Sequence, residues 1–378
     1  MLISTNILIL GSESTRAAIS ILRGLKNIEN NIYVAISNSN KSDRFAFRKY
    51  AKDYLFYNDM SEKDFIDSLL NFRNEIGDFY LFCIGDLKTE WILLNKETLN
   101  SNGINFEAPG LQEFKKMLFK PDYLKVSSKF GLKIPQELTI KEAMNLLENK
   151  KSIVLKAEDS KTLKKYKKPL IIEDIKSINK IDLNENNFII QEFVDGPSVY
   201  YSAYYKKGRK ISSFEQINLV QQPGGGSVVK AAPYKISEEV IEKTDNMFKE
   251  LNWSGVMMVE YKVQEGKYYS IECNPRYWGP NQLLIDNGVN FPRLMLGLKE
   301  ENSKTLNTDV GYKWINGYIL GFLYKLSGEG KFQKYNIDFE NKIKYLDLWK
   351  RKDTMFYHFF EVTFNLFNKI RSIFRRTK

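Results

Sequence analysis

The run 5–11 (TNILILG) is apolar over 7–10 and closes on Gly11. A strand with no polar face must be covered on both sides, as in a parallel sheet held between two helix layers. Segment 16–24 (RAAISILRG) has helical spacing and ends in glycine, and strands are predicted at 31–36 (NIYVAI) and 79–84 (FYLFCI). Strand, helix and strand in this order define an α/β unit of the doubly wound type. The loop 11–16 (GSESTR) lies where such units bind anions, but it lacks GxGxxG and so carries no dinucleotide signature.

A chain of 378 residues suits two or three packed units, and a charged fraction of 27% marks a folded, soluble protein. What it can do chemically is narrowed by what it lacks. There is one histidine, His358, far from every other motif. The two cysteines, Cys83 and Cys273, lie in apolar runs without CxxC spacing. Ser-His, Cys-His and thiolate or imidazole zinc chemistry therefore have almost nothing to work with. Carboxylates, lysines, arginines and a hard metal remain. The cysteine usage fits a reducing cytoplasm. No apolar run reaches the roughly 18 residues of a membrane span. The apolar start lacks a basic leader and a cleavage pattern, so it reads as a buried strand.

Of the formal charge of +11, seven units sit in residues 342–378. That is a local tail and not the footprint of a nucleic-acid-binding domain, and no nucleic-acid motif accompanies it. Residues 355–378 read as an amphipathic, aromatic, basic helix with Phe356, Phe359, Phe360, Phe367 and Phe374 recurring along it. Such a helix packs its phenylalanine face on the body of the protein or docks on an anionic membrane surface at the inner face.

Near residue 115 the pattern changes. Lys120-Pro121-Asp122 opens a helix that Gly131 closes. Beyond it the chain is β-rich, with strands predicted at 153–157, 188–194, 199–205, 211–217, 256–263 and 268–273, and a helix at 237–251 between the last two groups. Three parts are predicted: 1–115, 116–300 and a C-terminal extension, 301–378.

The last two strands read as a hairpin around a three-residue loop, Gln264-Glu265-Gly266. In that register Glu260 faces Ser270, Glu272 lies diagonally beside it, and Asn274 follows on the same face. Met257, Val259, Ile271 and Cys273 fall on the core face. Two carboxylates this close repel each other unless a cation neutralises them. Three oxygen donors and no soft ligand point to magnesium, and Arg276 adds a fork for phosphate or carboxylate. A solvated polar face accounts for the same spacing equally well.

The string from Trp253 through Glu260, with Glu272, Asn274, Pro275 and Arg276 at their spacing, resembles the ATP-grasp superfamily. It is most similar to the carboxylate–amine ligase group related to the carbamoyl-phosphate synthase large subunit and D-alanine–D-alanine ligase. The resemblance implies an ATP-grasp fold, α+β in its ATP-binding part, preceded by a Rossmann-like domain. It implies that Glu260, Glu272 and Asn274 bind the magnesium (or manganese) ions that bridge the phosphates of ATP, with Arg276 stabilising the phosphoryl group in transfer. Lys120 and Lys156 match the two phosphate-contacting lysines. Glu192, Phe193 and Val194 match the hinge that holds adenine. Gly225, Gly226 and Ser227 match a loop that lines the acceptor pocket.

The implied reaction joins a small-molecule carboxylate to an amine through an acyl phosphate, releasing ADP and phosphate. The alternative is a weakly catalytic Mg-ATP-binding regulator or membrane-associated assembly protein. A homodimer and peripheral membrane contact through 355–378 stay open as partnerships. One departure stands out: 158–168, where relatives carry a glycine-rich flap, has many lysines and no glycine.

Overall fold

The structure is a computed structural model that describes residues 6–59, 61–157, 169–183, 187–223, 226–299, 309–326, 331–338, 340–361, 363, 364 and 367. The N-terminal unit is a sheet of β1 (Asn6–Leu10), β2 (Asn31–Ser37), β3 (Asp53–Tyr57), β4 (Phe79–Phe82) and β5 (Ile104–Asn105). Every pairing is parallel and the strand order is β3-β2-β1-β4-β5. This is the doubly wound arrangement, with its chain reversal between β1 and β4. Ile7 to Leu10 are fully buried, as an all-apolar strand requires. The helix Thr15–Gly24 starts on Ser14, whose hydroxyl accepts from the Ala17 N–H.

A small antiparallel sheet follows, β7-β6-β8, made of β6 (Ile153–Ala157), β7 (Leu170–Ile172) and β8 (Phe188–Glu192). The helix Ile140–Glu148 covers it and opens with a reciprocal cap between Thr139 and Glu142. These elements have their own small core, centred on Leu147, Ile153, Leu155 and Ile190.

The largest sheet contains β9 (Ser198–Lys206), β10 (Arg209–Gln221), β11 (Val228–Pro233), β12 (Gly255–Gln264), β13 (Lys267–Asn274), β14 (Val310–Lys313), β15 (Gln333–Lys334) and β16 (Lys344–Asp347). Its order is β13-β12-β9-β10-β11-β14-β16, with β15 beside β10. Three strands from the segment expected as a C-terminal extension, β14, β15 and β16, thus join this sheet. Its apolar residues and those of the N-terminal sheet form one continuous core.

The start of the C-terminal helix packs on the body. Tyr357 is buried with its ring 4.8 Å from that of Trp349, and Phe360 meets Phe45. Phe359, Phe364 and Phe367 are exposed, and residues 368–378 lie outside the described residues. Among the described residues no helix is long and apolar enough to cross a membrane.

A buried ion pair fixes this C-terminal segment to the first helix. Arg23 donates to both oxygens of Asp353, at 2.7 and 3.2 Å, and also to Thr354, to Gln282 and to the carbonyl of Leu348. Burial alone would raise the Asp353 pKa, but the Arg23 bond and charge, with the Tyr50 hydroxyl, together outweigh it and hold the carboxyl below its usual range. Its stabilising contribution is therefore present above the ordinary carboxylate pKa and is lost as pH falls through the lowered value. Arg23→Met leaves Asp353 without its cation, held by the Tyr50 hydroxyl, and is expected to destabilise the chain by about 3–5 kcal/mol, read from urea unfolding at pH 7. An unchanged midpoint would refute this role.

Candidate active site

The hairpin of β12 and β13 turns on two residues, not three. Gln264 pairs with Lys267, and Glu265 and Gly266 have φ of 51° and 71°, the type I′ geometry that matches strand twist. The expected pairing of Glu260 with Ser270 is therefore wrong by one position, and Tyr261 meets Ser270 instead. A bulge at Ile271 then moves the register once more, so that Glu260 stands directly opposite Glu272. Val259, Met257 and Cys273 are buried on the core face as expected. Ser270 and Ile271 exchange sides relative to expectation: the Ser270 hydroxyl bonds to Tyr123 in the core, while Ile271 lines the cleft.

That cleft runs between the small sheet and the large one, and Glu260, Glu272, Lys120 and Lys156 all line it. Residues 120, 156, 260 and 272 are thus brought together from four separate elements. Lys120 begins the helix Lys120–Lys129, with Pro121 in the first turn, and places its Nζ 2.6 Å from Glu272 Oε2. Burial disfavours the Lys120 cation, but the Glu272 carboxylate outweighs it and raises the pKa. Lys156 projects from β6 and is 7% exposed. Burial, helped by the Lys120 charge, lowers its pKa to about 8.

The two glutamates respond in opposite directions. Burial and then Glu272 push the Glu260 carboxyl upward, although its Oε1 accepts a 2.6 Å bond from Ser198. Glu272 is half-buried, and although that pushes its pKa up, Lys120 holds it below the usual value. Asn274 donates to Glu272 Oε1 at 3.2 Å, so the third expected ligand touches the pair.

The hinge residues also border the cleft. Phe193 and Val194 follow the end of β8 and take no part in the backbone ladder among the described residues. The Glu192 carboxylate is already engaged, accepting from the Gln136 N–H at 2.9 Å. Gly226 lines the cleft, and Ser227 turns away to meet Arg16 at 3.1 Å. Gly225 and the lysine-rich run 158–168 lie outside the described residues.

Arg276 does not join the lysines. Its fork closes on Asp86 at 2.5 and 3.2 Å, and it donates to Asn274 Oδ1 at 3.1 Å. Asp86 heads the helix Asp86–Leu94 of the N-terminal unit, and no sequence signal linked positions 190 apart.

Sequence reasoning also missed Ser198, Gln191 and Lys262, which line the cleft. Lys262 was findable, because it alternates with Glu260 on one strand face. It donates to the Gly196 carbonyl at 2.9 Å. Gly196 itself must be glycine, since a Cβ there would fall 1.8 Å from the Val263 carbonyl. Gln191 is 3% exposed and its Oε1 has no partner among the described residues, an acceptor waiting for a donor.

The donor set suits a hard cation. Two carboxylates face each other across a ladder, and Lys120 already supplies a positive charge between their region and the cleft. Among the described residues no further histidine, cysteine or carboxylate completes an all-protein cage. A magnesium ion here would draw its remaining ligands from water and phosphate, which is its usual habit.

No protein-family profile matches the chain, and no curated protein matches it by sequence. Solved structures do match. A biotin carboxylase–βγ-ATP complex from Campylobacter jejuni has a TM-score of 0.59 at 15% identity, over 80% of this chain and 74% of that one. N5-carboxyaminoimidazole synthetase from Staphylococcus aureus has a TM-score of 0.58 at 13% identity, over 81% of both chains. The biotin carboxylase domain dimer of Hydrogenobacter thermophilus 2-oxoglutarate carboxylase, in complex with MgADP, ADP and bicarbonate, has a TM-score of 0.57 at 14% identity, over 80% and 71%. At these identities the likeness speaks for architecture: this chain has the ATP-grasp fold.

Proposed function

We propose that this chain is an ATP-dependent ligase that joins a small-molecule carboxylate to an amine. The observation that carries the reading is the direct pairing of Glu260 with Glu272 in a cleft that also holds Lys120, Lys156 and Lys262. The nucleotides named with the C. jejuni and H. thermophilus structures support ATP as the substrate here. In the proposed reaction a carboxylate oxygen attacks the γ-phosphorus and ADP leaves. The amine nitrogen then attacks the acyl carbon, sheds a proton and expels phosphate. Glu260, Glu272 and Asn274 would hold magnesium, whose chemistry is to neutralise the phosphate oxygens.

The protein's own groups do the rest. Lys120 and Lys156 place two ammonium groups where negative charge accumulates on the phosphoryl group, inside a buried cleft where such charges count for more than in water. The free backbone of Phe193 and Val194 offers donors and acceptors to a purine edge, and Gln191 offers an unpaired acceptor. A bracing role for Arg276 requires its fork to leave Asp86. That engagement favours one second reading, a chain that binds Mg-ATP without turnover. It would bind ATP yet release no ADP with any carboxylate and amine pair. A cytoplasmic location, expected from the cysteine usage, is part of the same proposal.

ADP release, screened against mixtures of amino acids, dicarboxylates and sugar acids, tests the proposal. Glu272→Gln is expected to lower turnover by about 100-fold or more, and turnover that survives the change would sink the site. The pH dependence gives a second check. Lys156 carries its charge below about pH 8 and loses it above. ATP affinity should therefore fall about tenfold between pH 7 and 9, and Lys156→Met should flatten that profile.

A further inference from the structure

Among the described residues, Arg16 is an arginine near the cleft that the proposed chemistry leaves unused. It is the second residue of the helix Thr15–Gly24, and it reaches out of the N-terminal unit to the start of β11. Its Nη2 donates to Ser227 at 3.1 Å and its Nη1 to the Val228 carbonyl at 3.3 Å. The guanidinium carbon lies 4.0 Å from the centre of the Trp314 ring, a cation–π seat that fixes the group without neutralising it. Gly279 closes the other side: a Cβ there would fall 2.5 Å from the same carbon. Three segments meet at this point: the first helix, the loop whose Gly226 lines the lysine cleft, and the turn that begins three residues after Arg276.

The charge balance at this junction is unusual for this molecule. Arg23, Arg73, Arg276 and Arg351 each hold an aspartate. Arg16 is half-buried and has no carboxylate within ion-pair distance among the described residues. The acid that feels its charge, Glu361, is bonded to Asn316, and burial raises its pKa to about 7. Near neutrality Glu361 is thus about half uncharged and a poor counter-ion. On either side of Gly279 stand buried polar groups with nothing to bind. The Trp278 indole N–H and both amide atoms of Asn281 make no hydrogen bond among the described residues, with the two residues 3% and 1% exposed. Buried polar groups are ordinarily satisfied, so the Trp278 N–H and the Asn281 amide N–H are spare donors in the turn that closes on this guanidinium, while the Asn281 Oδ1 is a spare acceptor that an anion would not satisfy.

We propose that Arg16 is the receptor for a carboxylate on the small-molecule substrate, one that anchors the molecule and does not react. A carboxylate matches the planar fork in shape, whereas a phosphate is served by the lysines of the cleft. This inference rests on the ligase reading and narrows its substrates to molecules that keep a free carboxylate, such as an α-amino acid acting as the amine.

The test uses the full chain and four probes, L-alanine, L-alaninamide, succinate and inorganic phosphate, titrated by calorimetry into wild type, Arg16→Lys and Arg16→Gln. ATP binding is measured in parallel with a fluorescent analogue. L-alanine or succinate is expected to bind wild type and to weaken about tenfold in both variants, with alaninamide weak throughout and ATP affinity unchanged. The lysine variant keeps a cation over Trp314 but loses the fork, and unchanged ATP affinity certifies its fold. Carboxylates that bind all three proteins alike, or that bind none, would overturn the proposal, as would an Arg16-dependent site that takes phosphate alone. Failure of wild type to bind ATP would instead strike the ligase reading and leave the Arg16 result legible.

Discussion

Two carboxylates placed opposite each other on neighbouring antiparallel strands stand about 5 Å apart at Cβ and repel. Glu260 and Glu272 are held in that relation by the bulge at Ile271, and the rest of the cleft is arranged to tolerate it. Lys120 arrives from a helix start and pairs with Glu272, Ser198 donates to Glu260, and Asn274 donates to Glu272. The compensation is uneven. Glu272 is stabilised as an anion while Glu260 is driven toward protonation, so the site keeps a demand for positive charge on the Glu260 side that Lys262 and Lys120 do not offset. A second cation relieves the Glu260 side, and a polyphosphate relieves the crowding of Lys120 with Lys156. Each ligand would remove a different part of the strain, which is the physical ground for proposing a metal and a nucleotide together.

The sheets were legible because period and punctuation are local properties. The apolar run of β1, the hairpin of β12 and β13 and the cap-to-glycine helix after Lys120 all declare themselves within a few residues of sequence. Register is a different matter. It depends on a non-glycine residue, Glu265, taking a positive φ, and on one residue being left unpaired at Ile271, and neither leaves a compositional trace. The two errors have the same sign, each moving β13 by one position, and together they turn a diagonal pair of glutamates into a direct one. The strands β5, β7, β14, β15 and β16 escaped notice because two to four residues are too few to show alternation, and β3 and β11, with five and six residues, were missed as well. Contacts such as Arg276 with Asp86, or Arg16 with Ser227, join positions about 200 residues apart and come only from the assembled fold.

The division of the interior into two cores bears on how the cleft works. The small sheet and its helix share one apolar cluster, while the N-terminal and large sheets share another. The bridge between Lys133 and Tyr269 and the close approach of Gly196 to Val263 join the regions through backbone rather than through shared apolar packing. Lys156 belongs to the first core, and Glu260 and Glu272 to the strands of the second. Any anion that contacts Lys156 while sharing a cation with the glutamates must therefore tie two separately packed bodies together. By linkage, a ligand bridging the two would bind more tightly the more firmly the small sheet is held over the large one. Substrate placed at Arg16 would touch the second body alone, so anchoring at Arg16 and bridging of the two bodies by the nucleotide would be physically separable.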